Sequence, residues 1–295
     1  MLIFTNQQCS IDSGILKFPK IMNLEVKTRL ENVDIREVRI IPEGSGYNVE
    51  IVYAKEINDI SELSRKRILG IDVGVRNIIT MGNNISEKGI AVKGGVLKSI
   101  NQYFNKKLAK LKSINDRQRK SKENTKRINR LYSVRNRKIR DIMHKLSNAV
   151  ISYARMNEID TIVIGHNNEW KQSVNIGKKN NQEFVQIPFN TLINQIYYKG
   201  QECGINVIIQ EESYTSKCSF LDNETMEKHD NYLGKRIKRG VFRTANGTLI
   251  HADLHASYNI IKKAIPEAFV NGIEGIGLYP RSLSIKEMIT SKEVC

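Results

Sequence analysis

The chain has 295 residues, enough for one large domain or two smaller ones, and its 40% hydrophobic content can bury a real core. With 47 Lys and Arg against 31 Asp and Glu, the net charge of +16 points to a polyanionic partner, nucleic acid first, because such an excess concentrates phosphate locally and releases counterions on binding. Cys9, Cys203, Cys218 and Cys295 form no Cys-x-x-Cys pair, no signal-peptide pattern opens the chain and no apolar run approaches ~18 residues, so a disulfide framework and membrane insertion are excluded and a reducing, cytoplasmic setting is expected.

Residues 1 to 55 read as β structure. Gly14 to Pro19 is a short strand, and Arg36 to Ile41 and Tyr47 to Tyr53 flank the turn formers Gly44, Ser45 and Gly46 as a hairpin. Val49, Ile51 and Tyr53 share one face of its second arm, the period-2 pattern of a half-buried strand. Without a strong first strand, this opening reads as the end of a barrel or sandwich. Polar Lys55 to Arg67 reads as a linker, and a second domain starts near Arg67. Its first strand lies in Leu69 to Thr80, where a single acid, Asp72, interrupts an apolar, β-branched run between Gly70 and Gly74. A carboxylate there is paired, bound to metal or raised in pKa, unless it is a turn or capping aspartate. The two glycines leave room for something bulky, such as a nucleic-acid backbone. Two further antiparallel strands joined by tight turns are expected between Met81 and Lys98, from the runs Gly82-Asn83-Asn84, Gly89-Ile90-Ala91-Val92 and Gly94-Gly95-Val96.

From Lys106 to Arg140 there are fifteen Lys or Arg, only the acids Asp116 and Glu123, and neither proline nor glycine. The stretch predicts a long basic helix or a pair of helices, continuing as an amphipathic helix through Leu146 and Val150 to Arg155. A solvated face is the ordinary reading of a charge run, but fifteen like charges repel unless a polyanion neutralises them. Lys106, Lys107, Arg117, Arg119, Lys120, Arg127, Arg130, Arg135 and Arg137 are therefore candidate nucleic-acid contacts. Ile159 to Ile164 is an apolar strand ending at Gly165. A polar loop containing Trp170 follows, then a helix over Phe189 to Gly200 after Pro188, and then a strand, Ile205 to Gln210, that runs into Glu211 and Glu212. The order β, β, β, α, β, α, β predicts a mixed sheet with helices packed on it.

Tyr214, Thr215, Ser216 and Lys217 follow that strand end and, with Lys235 and Arg236, are further candidates for phosphate or base contact. Asn246-Gly247 predicts a type I′ hairpin between Val241 to Thr244 and Thr248 to Ile250. His251-Ala252-Asp253-Leu254-His255 opens an amphipathic helix, where a helix cap alone would explain Asp253. The polar tail after Pro280 carries no specific signal. If the chain folds as a ribonuclease H-like domain, Asp72, Glu211 or Glu212, and Asp253 converge. Two Mg²⁺ ions held ~4 Å apart by such carboxylates would stabilise the attacking and leaving oxygens of a phosphodiester. Strand alternation puts Glu211 and Glu212 on opposite faces, so only one can join the site.

Leu69-Gly-Ile-Asp-Val-Gly-Val-Arg-Asn77, Tyr214-Thr-Ser-Lys217 and Ala252-Asp-Leu-His-Ala-Ser-Tyr-Asn-Ile260 resemble the split RuvC nuclease segments of the TnpB, or OrfB-type, transposon proteins, relatives of the type V CRISPR effectors. The resemblance covers about Arg67 to Lys263 and implies an α/β fold. A ribonuclease H-like (RuvC) mixed sheet flanked by helices would occupy 67–265, with a basic helical region at 98–155 and a hairpin insert at 217–252. A partial wedge β-barrel segment with its linker at 1–66 would precede it, and a tail at 266–295 would follow. The implied activity is transposon-associated, RNA-guided DNA cleavage by two Mg²⁺ ions. Asp72, Glu212 and Asp253 would be catalytic and metal-binding, with a guide RNA from the transposon end and double-stranded target DNA as partners.

Three departures from the family pattern matter. The family's usual glutamate follows the strand matched by Ile159 to Ile164, and Gly165 stands there. Some relatives carry it just before Tyr-Thr-Ser, which favours Glu212 over Glu211, with Glu169 third. Of the family's zinc ribbon only Cys218 remains, and Cys218 with His229 falls short of the four ligands zinc wants, so no structural zinc is expected. The family's N-terminal half is missing. Gly165 and that missing half support an alternative reading, a nuclease-inactive or truncated RNA- and DNA-binding protein such as a guide-directed repressor. His255 replaces the usual asparagine after the last aspartate and reads as a metal-site neighbour or as a plain surface or capping histidine.

Overall fold

The computed structural model describes residues 1–43, 46–56, 66–85, 87–118, 124–167, 185–270 and 275–290. Two compact units emerge, Met1–Asn58 with Tyr103–Lys138, and Asp59–Gln102 with Ile139–Cys295.

The first unit holds six strands, β1 (Leu2–Thr5), β2 (Ser10–Asp12), β3 (Ile15–Lys17), β4 (Glu25–Lys27), β5 (Asp34–Glu43) and β6 (Gly46–Ala54). They form two three-stranded antiparallel sheets, ordered β1-β5-β6 and β2-β3-β4. The expected hairpin is β5–β6, with Val38 opposite Ile51 and Ile40 opposite Val49. Strand β1 corrects the expectation of a weak opening. It pairs with β5 from Leu2 opposite Ile40 to Thr5 opposite Glu37, but its exposed Leu2 and Ile3 give it no half-buried alternation to read. Cys9, Leu16, Phe18, Ile35, Val38 and Ile40 form one core under both sheets, and Phe4 meets Phe18 edge-on at 5.2 Å.

The basic run forms two helices, α1 (Gly95–Gln118) and α2 (Lys126–Met156), so Gly95 and Val96 open a helix rather than continuing a strand. In the part of these helices that belongs to the first unit, Phe104 packs edge-on against Tyr132 at 4.9 Å.

The second unit is built on a six-stranded mixed sheet. Its strands are β7 (Ile68–Val73), β8 (Asn77–Asn83), β9 (Ile90–Lys93), β10 (Thr161–Gly165), β11 (Asn206–Gln210) and, past the hairpin strands β12 (Lys235–Lys238), β13 (Val241–Arg243) and β14 (Leu249–His251), β15 (Arg281–Ser284). The order is β11-β10-β7-β8-β9-β15. Strands β7, β10 and β11 run parallel, as do β9 and β15, while β8 is antiparallel to both its neighbours. The segment Leu69 to Thr80 is thus two strands. The chain reverses through Gly74, Val75 and Arg76, which brings Thr80 opposite Asp72.

Helices α3 (Phe189–Glu202), α4 (Ala252–Ala264) and α5 (Ile285–Thr290) complete the unit. The main core joins the β7–β10 strands to α2 and α3 through Leu69, Ile71, Met143, Val150, Ile164 and Leu192. Helix α4 is buried from Leu254 through Ile261. Two glycines let it lie directly on the sheet. A Cβ at Gly70 would run into the Ser257 carbonyl oxygen and meet Ile261 Cγ1 at 2.5 Å, and one at Gly82 would meet Tyr258 Cε1 at 2.8 Å. Gly70 therefore makes room for a helix, not for a nucleic-acid backbone as expected, and Gly74 serves the turn, where Asn77 O would lie 3.1 Å from a Cβ. The Asn246-Gly247 hairpin is also corrected. Gly247 N–H donates to Thr244 O at 3.1 Å and Gly247 alone of the pair takes a positive φ, +88°, so the loop is a turn closed by a left-handed glycine rather than type I′.

Candidate active site

Strands β7, β10 and β11 end at one edge of the sheet, the place where parallel α/β sheets collect ligands. A cavity of about 750 Å³ opens there, lined by Asp72, Asn77, Glu212, Arg236, His251 and Asp253 among others.

Asp72 is the fifth residue of β7. Ile71 and Val73 on either side of it point into the core, and alternation turns its carboxyl to the cavity. Burial holds that carboxyl well above the usual carboxylate range. The negative charges of Asp253 and Glu212 push in the same direction, and only Arg236 opposes them. Across the ladder on the same face, the Thr80 hydroxyl is buried without a hydrogen-bond partner.

Glu212 lies two residues beyond β11. Its N–H donates to Asn167 Oδ1 at 3.2 Å, its carbonyl accepts from Thr215 Oγ1 at 2.8 Å, and its carboxylate reaches over the end of β10 to Gly165. Burial first, then the Glu211 charge, raises it to about 7 against the pull of Lys263. Glu211 turns away. Its Oε2 pairs with Lys263 Nζ at 2.6 Å and its Oε1 accepts the Ser213 N–H at 2.7 Å, so it ties down the turn instead of facing the cavity. Glu169 lies outside the described residues.

Asp253 is the second residue of α4, but the cap is His251, whose Nδ1 accepts from the Leu254 N–H at 3.4 Å. The Asp253 carboxylate instead accepts from Asn77 Nδ2 at 2.9 Å and faces Arg236 Nη2 at 3.4 Å. Neither His251 nor Asn77 was singled out by sequence. A histidine before a helix signals little, whereas Asn77 closes the quoted Asp72 segment and could have been noticed. His255, read as a metal-site neighbour or a surface or capping histidine, is none of these. It is buried in the core, stacks on Phe242 at 4.0 Å and accepts the Phe220 N–H at 3.0 Å on Nε2, and burial pushes it down to about 4. Cys218 is buried with its thiol donating to Glu227 O at 3.6 Å, and half-buried His229 contacts Thr225.

Among the described residues, no three His, Cys, Asp or Glu side chains are grouped closely enough to hold a metal by themselves. The donor chemistry still fits a hard divalent cation. Mg²⁺ keeps several waters and needs only one or two carboxylates, and the cost of holding the Asp72 charge beside Asp253 and Glu212 is relieved by such a charge.

The Glu212 shift predicts a pH dependence. Its carboxyl rises from 4.5 to about 7 on folding, so the folded chain keeps a proton that the unfolded chain releases. The group's contribution is fully favourable below pH 4.5 and is lost as pH rises to 7. Glu212→Gln should remove that loss, about 1–3 kcal/mol. With chelator present the variant is expected to melt above the parent chain at pH 8 and close to it at pH 4.5. Equal melting temperatures at pH 8 would contradict the raised Glu212 carboxyl.

The basic candidates divide. Lys106, Lys107, Arg117, Arg127, Arg130 and Arg137 are exposed on the two helices, with Lys107 5.7 Å over the Tyr103 ring. Arg135 is partly withdrawn, its guanidinium 5.4 Å over Phe104, and Arg119 and Lys120 lie outside the described residues. Tyr214, Thr215 and Ser216 line the cavity, although Thr215 is buried and holds the loop through Glu212 and Asn259. Exposed Lys217 lies 5.9 Å over Tyr232, Lys235 is exposed on β12, and Arg236 turns to Asp253.

The class defined by these features is a mixed α/β protein with a cavity at the carboxyl ends of parallel strands, where three carboxylates face a rim of arginines and a lysine. Its fold is shared with a chain of a Cas12f1-sgRNA-target DNA complex, at TM-score 0.57 and 16% identity over 78% of this chain and 46% of that one. A chain of a CRISPR-Cas12f ternary complex gives TM-score 0.50 at 16% identity, covering 82% and 46%. Residues 51–171 match the OrfB_IS605 family, described as a probable transposase, and residues 189–260 match the Cas12f1-like TNB domain. The TnpB-like protein ORF457 of Acidianus two-tailed virus is 27% identical over 206 residues, 67% of this chain and 41% of that protein. The chain is supported as a TnpB family protein by these matches. It spans less than half the length of these relatives.

Proposed function

We propose that the chain is a transposon-associated, RNA-guided DNA endonuclease of the cytoplasm that hydrolyses phosphodiesters at a RuvC-type site in 67–265, after a partial wedge barrel in 1–66. The meeting of Asp72, Glu212 and Asp253 at one cavity carries the reading. These three would hold two Mg²⁺ ions, which when bound supply positive charge to the attacking and leaving oxygens. The chain's own groups prepare the place. Asn77 fixes the Asp253 carboxylate, the Glu211–Lys263 pair fixes the turn that carries Glu212, and Arg236 offers a cation to a phosphate. Guide RNA and double-stranded DNA are the proposed partners. The net charge of +16, the exposed basic residues of α1 and α2, and relatives solved with sgRNA and target DNA support them.

The test is cleavage by the full chain purified with RNA expressed from its native flanking sequence. Cutting that requires Mg²⁺ or Mn²⁺ and is lost in Asp253→Ala is expected. Cutting that survives both Asp72→Ala and Asp253→Ala overturns the assignment. A nuclease-inactive, guide-directed binder is the second reading, favoured by one observation, that β10 ends in Gly165 and brings no carboxylate of its own to the cavity. Its mark would be salt-dependent RNA and DNA binding that Glu212→Ala leaves unchanged, with no nicks in any divalent cation.

A further inference from the structure

We propose that Gly165 is the positioning residue for the Glu212 carboxylate. The space a side chain at 165 would fill is the space Glu212 uses, so the site takes a carboxylate from the end of β10 or from beyond β11, but not from both. The inference rests on the catalytic reading of Glu212 and deepens it.

Gly165 is not required by its backbone. It closes β10 as an ordinary strand residue paired with Gln210, and its φ lies outside the left-handed region. Space is what it supplies. A Cβ there would stand 2.9 Å from Glu212 Oε2 and 2.5 Å from Ile260 Cδ1. Both are ends of flexible side chains, so an added methyl displaces them rather than breaking the strand.

The backbone that carries Glu212 is anchored separately. Asn167 accepts its N–H, Thr215 donates to its carbonyl, and Lys263 holds both Glu211 and the Ser213 carbonyl, the latter at 3.0 Å. A side chain at 165 therefore moves the carboxylate and leaves the loop. Ile164 pairs with Ile71, which brings position 165 abreast of Asp72 one strand away, ~4.8 Å. A glutamate at 165 would start beside the present carboxylate and open into the same cavity.

The full chain is compared with Gly165→Ala, Glu212→Ala, Gly165→Ala made in the Glu212→Ala background, Gly165→Glu and the Gly165→Glu/Glu212→Ala double variant, by calorimetric titration with Mn²⁺ and by melting in chelator. Gly165→Ala is expected to weaken Mn²⁺ binding about tenfold and Glu212→Ala at least as much, one carboxylate contact being worth roughly 1.4 kcal/mol. The double variant should return to within about threefold of the parent while each of its single changes stays weak. In chelator, the melting temperature lost on Gly165→Ala should shrink by about 2 °C or more when the change is made in the Glu212→Ala background, because the crowded carboxylate is gone. A double variant no better than Glu212→Ala, or an equal melting loss in both backgrounds, overturns the proposal. A parent chain that binds no Mn²⁺ and cuts no DNA sinks the metal-dependent nuclease reading instead, and the melting comparison still decides the coupling of Gly165 to Glu212.

Discussion

Replacing Asp72 by asparagine is expected to lower metal-dependent DNA cleavage by about a thousandfold or more and, in chelator, to raise the melting temperature by a few degrees. The first effect follows from removing a carboxylate that the proposed site needs for charge stabilisation worth several kcal/mol. The second follows from the environment of the side chain. Its charge is buried beside Asp253 and Glu212 with only Arg236 in opposition, so the isosteric amide relieves a cost of folding. An ordinary structural aspartate would behave in the opposite way, losing stability on substitution. Cleavage assays and melting curves on the same preparation decide the matter, and a variant that melts lower than the parent and still cuts would remove Asp72 from the site.

Gly70→Ala is expected to produce the largest loss of stability of any single methyl added to the sheet. The new Cβ meets the Ser257 carbonyl of α4, a backbone atom in a helix buried along its length, and it also meets Ile261. Nothing there is the free end of a side chain except Ile261, so helix and sheet must separate. Overpacking of this kind costs about 3 kcal/mol or more. A fall of roughly 6–12 °C in melting temperature is the corresponding readout. A change within 2 °C would mean that α4 does not seat against β7 as described.

Much of the second unit was legible because its elements obey simple periods. The β-branched runs ending at Val73, Gly165 and Gln210 and the amphipathic segment from Ala252 are strands and a helix within a few residues of expectation. The carboxylates were legible as residues, and only the family resemblance made them neighbours. Nothing local says that Glu212 faces the cavity while Glu211 turns to Lys263, since that choice is made by a salt bridge between positions fifty-two apart. Gly70 was misjudged because a glycine marks close approach without saying what approaches. His255 was misjudged because its stacking partner Phe242 comes from β13 and the Phe220 amide from the turn before β12, both outside its own helix. Strand β15 escaped because a short polar sheet-edge strand has no half-buried alternation.

That last strand has a practical consequence. Arg281 to Ser284 lies along Ile90 to Lys93, and Leu283 and Ile285 plug into the main core. A shortened version designed to stop at Pro280 would strip a margin from the sheet and leave β9 as a bare template for pairing between molecules. Tags and fusions belong beyond α5, and a preparation clipped before Arg281 would be a source of aggregates rather than a minimal domain.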